Sequence, residues 1–375
     1  ASIFKSNAGI ASVSDVSVEV VDVANGGSEP ETITSIKYNA PLDYASQGRC
    51  VTTEDYKVYA KKLYANAQSV QVFGGENGSY DSSLGVVSAA EYGKVFISIV
   101  TTTGLNLTAS EKKQLVADFA KYTVASITPV IVDPDTTFLI LNVSFKYNSN
   151  RTSLDLSGVE SEVVSAITSY DTNNLGEFEK LFRHSQVTRL IDDAQVSILS
   201  NTTNVTLGKF FTPTTTAATS YYIYFNNALY NPHSGHNASA GGILSSTGFF
   251  ISGDTTNEHF LDDNGAGIVR LYYVQAGSRV YVDTTAGTVN YATGAIFIES
   301  LFITTISDVD DVASTQVRLT VIPNSKDIVP VRNQILELDL TNSTVTGQVD
   351  TVAVGDGSAG GTYTTNTSHS TPSGY

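Results

Sequence analysis

Residues 38–64, YNAPLDYASQGRCVTTEDYKVYAKKLY, carry the clearest fold signal of the chain, a fully punctuated helix start. Thr52 is a natural N-cap, and Asp55 three residues later completes a weak form of the capping box. One apolar stripe follows with helical spacing: Tyr56, Tyr59, Ala60, Leu63 and Tyr64. The pattern predicts a helix over 52–64. Residues 33–50 before it are expected to be extended and turn-like, because Pro41 disfavours a helix start ahead of it.

Beyond this helix, strands and helices interleave as far as residue 211. Three further helices are predicted: one begins with the capping box Thr108–Glu111, one with Ser157 and Glu160, and one is capped by Ser185. Apolar runs predict strands at 69–73, 94–100, 127–132, 138–147, 196–200 and 205–211. The resulting order, αββαββααββ with hairpin-linked neighbours, predicts an α+β fold. Its small mixed or antiparallel sheets are expected to be covered by helices.

The pattern of residue types changes twice more along the chain. Residues 212–345 show no helical period and predict an all-β domain, after the α+β modules of 51–211. Residues 346–375 are rich in Gly, Ser and Thr and predict a flexible tail. Residues 1–50 predict a strand at 16–23 and an extended segment. The chain begins at Ala1 and contains no Met, so its true start is expected to lie upstream.

Composition narrows the class of function. The formal net charge is −16, and an acidic surface repels phosphate backbones, so nucleic acid is not an expected partner. No apolar run reaches the ~18 residues of a membrane helix, so no membrane association is expected. Only 15% of residues are charged, and Ser, Thr, Asn and Gly supply most of the polar surface. That balance is more typical of a β-rich assembly protein than of an enzyme.

Cys50, the only cysteine, has two interpretations. It is either a reactive thiol beside Arg49 or a small apolar residue at a joint between two structural pieces. A catalytic thiol needs a partner base, and no His lies near it in sequence. We expect the second interpretation, and we predict no catalytic, cofactor-binding or metal-binding residues and no cofactor.

Four aromatic residues are candidates for an interface: Phe249, Phe250, Tyr272 and Tyr273. They occur as two adjacent pairs in predicted strands, where successive side chains point to opposite faces. Both faces of those strands must then be covered. One cover is the domain's own core, and the other is a further domain or chain, since aromatic residues are enriched in such contacts. The alternative is a sandwich core on both sides.

The order of several stretches resembles the baseplate J-like family of contractile phage tails, in its T-even wedge form. The stretches are GGSEPET (26–32), APLDYASQGRCVTTEDY (40–56), SVQVFGGEN (69–77), GKVFISI (93–99), YTVASITPVIVDP (122–134), LFRHSQVTRLID (181–192), NNALYNP (226–232) and GTVNYATGAIFI (287–298). Family members begin with a further N-terminal region, which this sequence lacks. The resemblance gives Cys50 no chemical role.

The resemblance implies a structural, non-enzymatic subunit of a tail baseplate. It would form the wedge or inner ring around the tail hub and rearrange when the sheath contracts. The implied partners are other copies of the chain, in dimer contacts within a ring, and neighbouring wedge and hub proteins. The implied location is the virion, after assembly in the host cytoplasm. The alternative is a host-binding or adhesion module of a tail or cell surface.

Overall fold

A computed structural model describes residues 33–77, 80–81, 86–87, 90–233, 242–308 and 314–354. The predicted strand at 16–23 and residues 355–375 of the predicted tail lie outside these ranges. The helices of the described part are α1 (Ile33–Ser46), α2 (Thr53–Leu63), α3 (Ala109–Phe119), α4 (Leu156–Asn174) and α5 (His184–Asp193). The strands up to residue 211 are β1 (Ala67–Gly74), β2 (Tyr80–Asp81), β3 (Val86–Val87), β4 (Lys94–Thr101), β5 (Thr128–Val132), β6 (Asp135–Tyr147) and β7 (Ile198–Phe211).

The strands after residue 211 are β8 (Thr219–Tyr224), β9 (Ser245–Ser246), β10 (Phe249–Ile251), β11 (Asp254–Asp263), β12 (Ile268–Gln275), β13 (Ser278–Asn290), β14 (Ala295–Leu301), β15 (Ile303–Ile306), β16 (Val317–Val321), β17 (Gln334–Leu338) and β18 (Thr344–Val349). The described residues after 211 contain strands and no helix, as the sequence predicts for this part. The mixed α+β class is therefore confirmed.

The capping boxes at Thr52 and Thr108 are confirmed, whereas the helix start predicted at Ser157 is wrong, because Asp155 caps α4. The Thr52 hydroxyl accepts a hydrogen bond from the Asp55 N–H, and the Asp55 carboxylate accepts one from the Thr52 N–H at 2.8 Å. Thr108 and Glu111 make the same reciprocal pair at the start of α3. Each box satisfies two N–H groups that a helix start otherwise leaves without partners, which fixes where these helices begin.

The extended conformation predicted for residues 33–50 is wrong, because residues 33–46 form α1 with Pro41 inside it. Proline removes one helical hydrogen bond and disfavours the helix locally. Packing against α2 outweighs this local preference, and Lys62 on α2 forms an ion pair with Asp43 on α1 at 3.0 Å.

Residues 33–132, the small unit, fold around a three-stranded sheet in the order β1-β4-β5. β1 and β4 are antiparallel, and β4 and β5 are parallel. Side chains of α2, α3 and the sheet form one hydrophobic cluster that includes Tyr56, Tyr59 and Phe119. The predicted hairpin between β5 and β6 is wrong, because the chain passes there from one sheet to another.

Residues 135–349, the large unit, share a 13-stranded sheet and one hydrophobic cluster. Ten of its strands are hydrogen-bonded in the order β17-β6-β7-β16-β9-β11-β12-β13-β14-β8. The other three lie off this path: β10 pairs with β11 and β15, and β18 pairs with β6. β6 pairs antiparallel with β7 on one side, and parallel with both β17 and β18 on the other. α4 and α5 pack on this part of the sheet.

The strand pairing corrects the boundary expected at 211/212. β7 is one continuous strand of residues 198–211, where two were predicted, and it pairs with β16 across that boundary. The predicted tail also begins too early, since residues 344–349 form β18. In the described residues, sheets and cores therefore divide the chain between 132 and 135.

A small apolar cluster joins the two units. It consists of Val100 on β4, Phe178 in the loop after α4, and Ile335 on β17. The Phe178 N–H also donates to the Ser69 hydroxyl at 3.3 Å. The loop after α4 and strand β17 therefore both contact the sheet of the small unit.

Candidate functional site

Cys50 is a core residue of the small unit. Its side chain is fully buried in the cluster with Tyr56 and Phe119, and its N–H donates to the Tyr122 carbonyl at 2.8 Å. Burial, with a smaller contribution from the Asp55 carboxylate, raises the pKa of the Cys50 thiol to about 12. A thiol in this state is not a nucleophile at neutral pH, because the reactive form is the thiolate. The interpretation as an apolar joint residue is favoured.

The four predicted interface residues do not form one surface. Phe249 is fully buried in the core of the large unit, and Tyr272 is 8% exposed, so neither offers its ring to another chain in this conformation. Phe250 and Tyr273 are half-buried. Phe249 lies opposite His259, which lies opposite Tyr273, so these three share one face of the sheet. Phe250 therefore lies on the other face from Tyr273.

The chain itself covers the outer side of Tyr272. The guanidinium of Arg279 lies over the Tyr272 ring at 4.6 Å, and that of Arg270 lies over the Tyr281 ring at 4.3 Å. Both arginines pair with Asp262, which is 1% exposed, at 2.9 and 2.7 Å. The Tyr281 hydroxyl donates to the same carboxylate at 3.0 Å. The second face of Tyr272, which the sequence predicts to contact another domain or chain, is thus covered by stacked arginines of the same chain.

The β12–β13 hairpin carries apolar surface that sequence reasoning missed. Val282 is 51% exposed and lies at the β-bulge between Tyr281 and Asp283, two residues after Val280, which is opposite Tyr273. We call Tyr273, Val280 and Val282 the hairpin patch. Val274 is equally exposed, at 53%, but lies on the opposite face. The alternation in SRVYVD was the available signal, because residues two apart on a strand share a face.

A buried polar cluster lies where β6, β7 and β17 meet. Lys209 and Asp135 have side chains only 3% exposed, and the Lys209 Nζ contacts the Asp135 Oδ2 at 2.6 Å. Burial lowers the pKa of Lys209, and the neighbouring carboxylate opposes that shift. Gln334 on β17 lies opposite Asp135 and donates to the Phe225 carbonyl at 3.2 Å. These contacts tie the first strand of the large unit to one of its last.

Metal ligands and membrane-spanning helices are two further features that could define a site. Within the described ranges, no three His, Cys, Asp or Glu side chains cluster as metal ligands would. The helices described here also include none that is both long and apolar enough to cross a membrane.

Comparison with known proteins gives two family matches in succession. Residues 52–132 match the model described as baseplate structural protein gp6, C-terminal domain I. Residues 135–209 match the model described as baseplate structural protein gp6, C-terminal domain III. The break between the matches falls where the two sheets divide. Strands β8 to β18, which lie outside the second match, complete its sheet.

Among curated proteins, baseplate wedge protein gp6 of Enterobacteria phage T4 is 26% identical over 183 residues. The alignment covers 48% of this chain and 26% of the relative, so the chain spans about a quarter of that protein's length. Among solved structures, a sixfold-symmetrised cryo-EM structure of the anti-feeding prophage baseplate matches with a TM-score of 0.32 and 13% identity. That match covers 47% of this chain and 37% of the other. The resemblance to gp6-type wedge proteins is confirmed.

Proposed function

We propose that this chain is a structural subunit of a contractile phage tail baseplate. In this role it forms the wedge or inner ring around the tail hub and rearranges when the sheath contracts. The observation that carries the proposal is the succession of two gp6 matches, at 52–132 and 135–209, each containing the start of its own sheet. The relative that shares this region is named as a baseplate wedge protein.

The proposed role is non-enzymatic. Baseplate relatives are structural proteins, and the family model is described in those words. The thiol of Cys50, the one nucleophile weighed from sequence, is buried and has a raised pKa. Neither resemblance nor geometry assigns the chain a cofactor.

The proposed partners are other copies of the chain and the neighbouring wedge and hub proteins. Copies that each carry a net charge of −16 repel one another at long range, so their contacts must rest on apolar area. The hairpin patch and Phe250 are the surfaces we propose for such contacts. A stable contact buries more than ~1,000 Å² in total, so either surface is one part of a larger interface.

Locating the chain in the particle tests the main proposal. Gold-labelled antibodies against the purified chain, applied to intact virions and viewed by electron microscopy, should mark the baseplate around the hub. The second candidate, a host-binding module, has support from the exposed aromatic surface of the large unit. It predicts label at the fibre tips, and that pattern would refute the wedge assignment.

The hairpin patch is tested with a matched pair of variants. Tyr273→Ser combined with Val282→Ser should weaken wedge assembly, measured by analytical ultracentrifugation, more than it lowers the melting temperature. Val274→Ser is the control, because Val274 is as exposed but lies on the opposite face. Phe250→Ser tests the other face separately. Equal loss of assembly in the control, or loss that simply follows the melting temperature, would contradict the assignment.

A further inference from the structure

An open trough of about 650 Å³ lies on the outer face of β8, β14 and β13. Strand register sorts its side chains into two rows. Tyr222, Phe297 and Thr288 face one another across the three strands. Tyr224, Ala295 and Asn290 form the next row. Residues between them, such as Ile223 and Ile296, point into the core. The trough therefore lies on the face of the sheet that points away from the core.

The two sides of the trough have different chemistry. On the β8 side stand aromatic rings: Tyr222 is 39% exposed, and its ring lies 4.6 Å from that of Phe297. On the β13 side stand the exposed Thr288 and Asn290. The Asn290 amide oxygen accepts from two N–H groups of the following turn. Among the described residues, neither the Asn290 NH₂ group nor the Thr288 hydroxyl has a hydrogen-bond partner. Ala295, small and central, leaves space between the two sides.

One rim of the trough is held in place before any ligand arrives. The Gly265–Gly267 turn donates the Gly265 N–H to the Asp263 carboxylate at 3.1 Å and offers the Gly265 carbonyl to the Asn231 amide at 3.0 Å. Tyr291 donates its hydroxyl to the same Asp263 carboxylate, which is fully buried. Gly267 has φ +93°, a conformation that other residues rarely adopt. A fixed rim lowers the entropy cost of binding.

None of the described residues that line the trough is charged, although 15% of the chain is. A charged ligand finds no counter-charge there, and a net charge of −16 repels anions. A purely apolar ligand would bury the Thr288 and Asn290 polar groups without partners. A peptide strand finds no backbone partner on β14, which is paired on both edges, and could pair only at the rim, with β8, the last strand of the sheet.

We propose that this trough binds a neutral saccharide. A pyranose ring has a C–H face that packs on aromatic rings, hydroxyl groups at its edge for Thr288 and Asn290, and no charge. The volume suits one or two rings, within the usual range of small-ligand pockets. The inference does not depend on the baseplate assignment, since it stands on the trough alone.

Ligand-observed NMR on the purified full chain tests the proposal with glucose, galactose, mannose and N-acetylglucosamine. We expect saturable binding of at least one, with Kd of about 1 mM, because ligands of this size gain little energy per atom. Glucuronic acid, sialic acid and a peptide of residues 355–375 should not compete. Absence of saturation by all four neutral sugars up to about 50 mM, or equal binding of the charged sugars or the peptide, would overturn the proposal.

Variants then place the site. Tyr222→Ala and Thr288→Val should each weaken binding roughly fivefold, through loss of ring stacking and of one hydrogen bond. Ala295→Leu should abolish binding by filling the space between the two sides. Tyr92→Ala is the control, because Tyr92 is 83% exposed in the small unit. Melting temperatures should fall by no more than about 8 °C, the loss of one ring contact in Tyr222→Ala being the largest change. Binding that survives Ala295→Leu would place the sugar elsewhere and refute this site.

Discussion

The small unit builds its core from one continuous stretch of chain, whereas the large unit closes its sheet with strands nearly two hundred residues apart. In the small unit, α2, β1, β4, α3 and β5 follow one another and pack together. In the large unit, Gln334 on β17 lies opposite Asp135 on β6. Local sequence signals are therefore enough to predict the fold of the small unit, whereas the fold of the large unit depends on pairing between distant strands.

The interiors differ as well. Cys50, Phe119 and their neighbours make an apolar core in the small unit, where ion pairs such as Lys62–Asp43 are partly exposed. The large unit buries Asp135 with Lys209 and, beneath its arginines, Asp262. Buried ion pairs cost desolvation, and fixing the register of distant strands is one role they can fill. Three experiments test this contrast.

The largest effect should come from Lys209→Met. This variant leaves the Asp135 carboxylate buried without its cation, which costs about 3–5 kcal/mol in the free energy of unfolding. Urea unfolding measures the loss, and hydrogen exchange should rise in β6, β7 and β17 but not in β1 or β4.

Two further variants decide what that loss means. Lys209→Met combined with Asp135→Leu should recover most of the stability, since it removes both charges. Arg189→Met, which breaks an exposed pair with Asp193 at 3.9 Å, should change stability very little. If Lys209→Met cost no more than Arg189→Met, the buried pair would not matter to the large unit.

A smaller effect, of opposite sign in the two units, should come from two matched Glu→Gln variants. In the small unit, hydrogen bonds from Thr108, above all from its N–H, lower the pKa of Glu111. In the large unit, burial and then the charge of Asp171 raise the pKa of Glu337. Glu111→Gln should lower stability at pH 7 by about 0.5 kcal/mol, and Glu337→Gln should raise it.

The pH windows follow from the same shifts. The Glu111 contribution is complete above the unfolded carboxyl pKa of about 4.3 and is lost as pH falls through the lowered folded pKa. The Glu337 penalty is absent below the unfolded pKa of about 4.3, grows as pH rises from there to the raised folded pKa, and is constant above it. The free energy of unfolding of the parent chain, measured between pH 3 and 7, should follow these two profiles. Each variant should lack the profile of the carboxyl group that it replaces. Shifts of the same sign would remove this part of the contrast.

The smallest effect should be the reaction of Cys50 with a maleimide. The native protein should remain unlabelled at pH 7 to 8, because the thiol is buried and its pKa is about 12. In urea the same thiol should label completely, which serves as the control. Rapid labelling of the folded chain would mean that the core of the small unit opens readily.

The parts of the fold that sequence predicts well are those governed by neighbours in sequence. Thr52 with Asp55, and Thr108 with Glu111, were predictable because each capping box spans three residues. The start of α5 was not. Ser185 was expected to cap it, but the helix begins at His184, whose N–H donates to Asp327 at 2.9 Å, far along the chain.

The candidate sites show the same limit. Alternation alone predicts that Val280 and Val282 share a face, but not the β-bulge at Val282 or that arginines cover Tyr272. The aromatic trough likewise needs the register of β8, β14 and β13, which no local pattern sets. The boundary at 132/135 was missed because the turn DPDT predicts a hairpin equally well.

The pairing of β6 with β17 and β18 also determines when the protein can fold during its synthesis. Residues 135–147 must wait for residues 334–349 to leave the ribosome, a delay of about 10–40 s at common translation rates. The small unit has no such delay, because its partners are adjacent. During the wait the unpaired edge of β6 is open to wrong partners, including another nascent chain. The high contact order of the large unit therefore makes its folding the slow step in producing this protein.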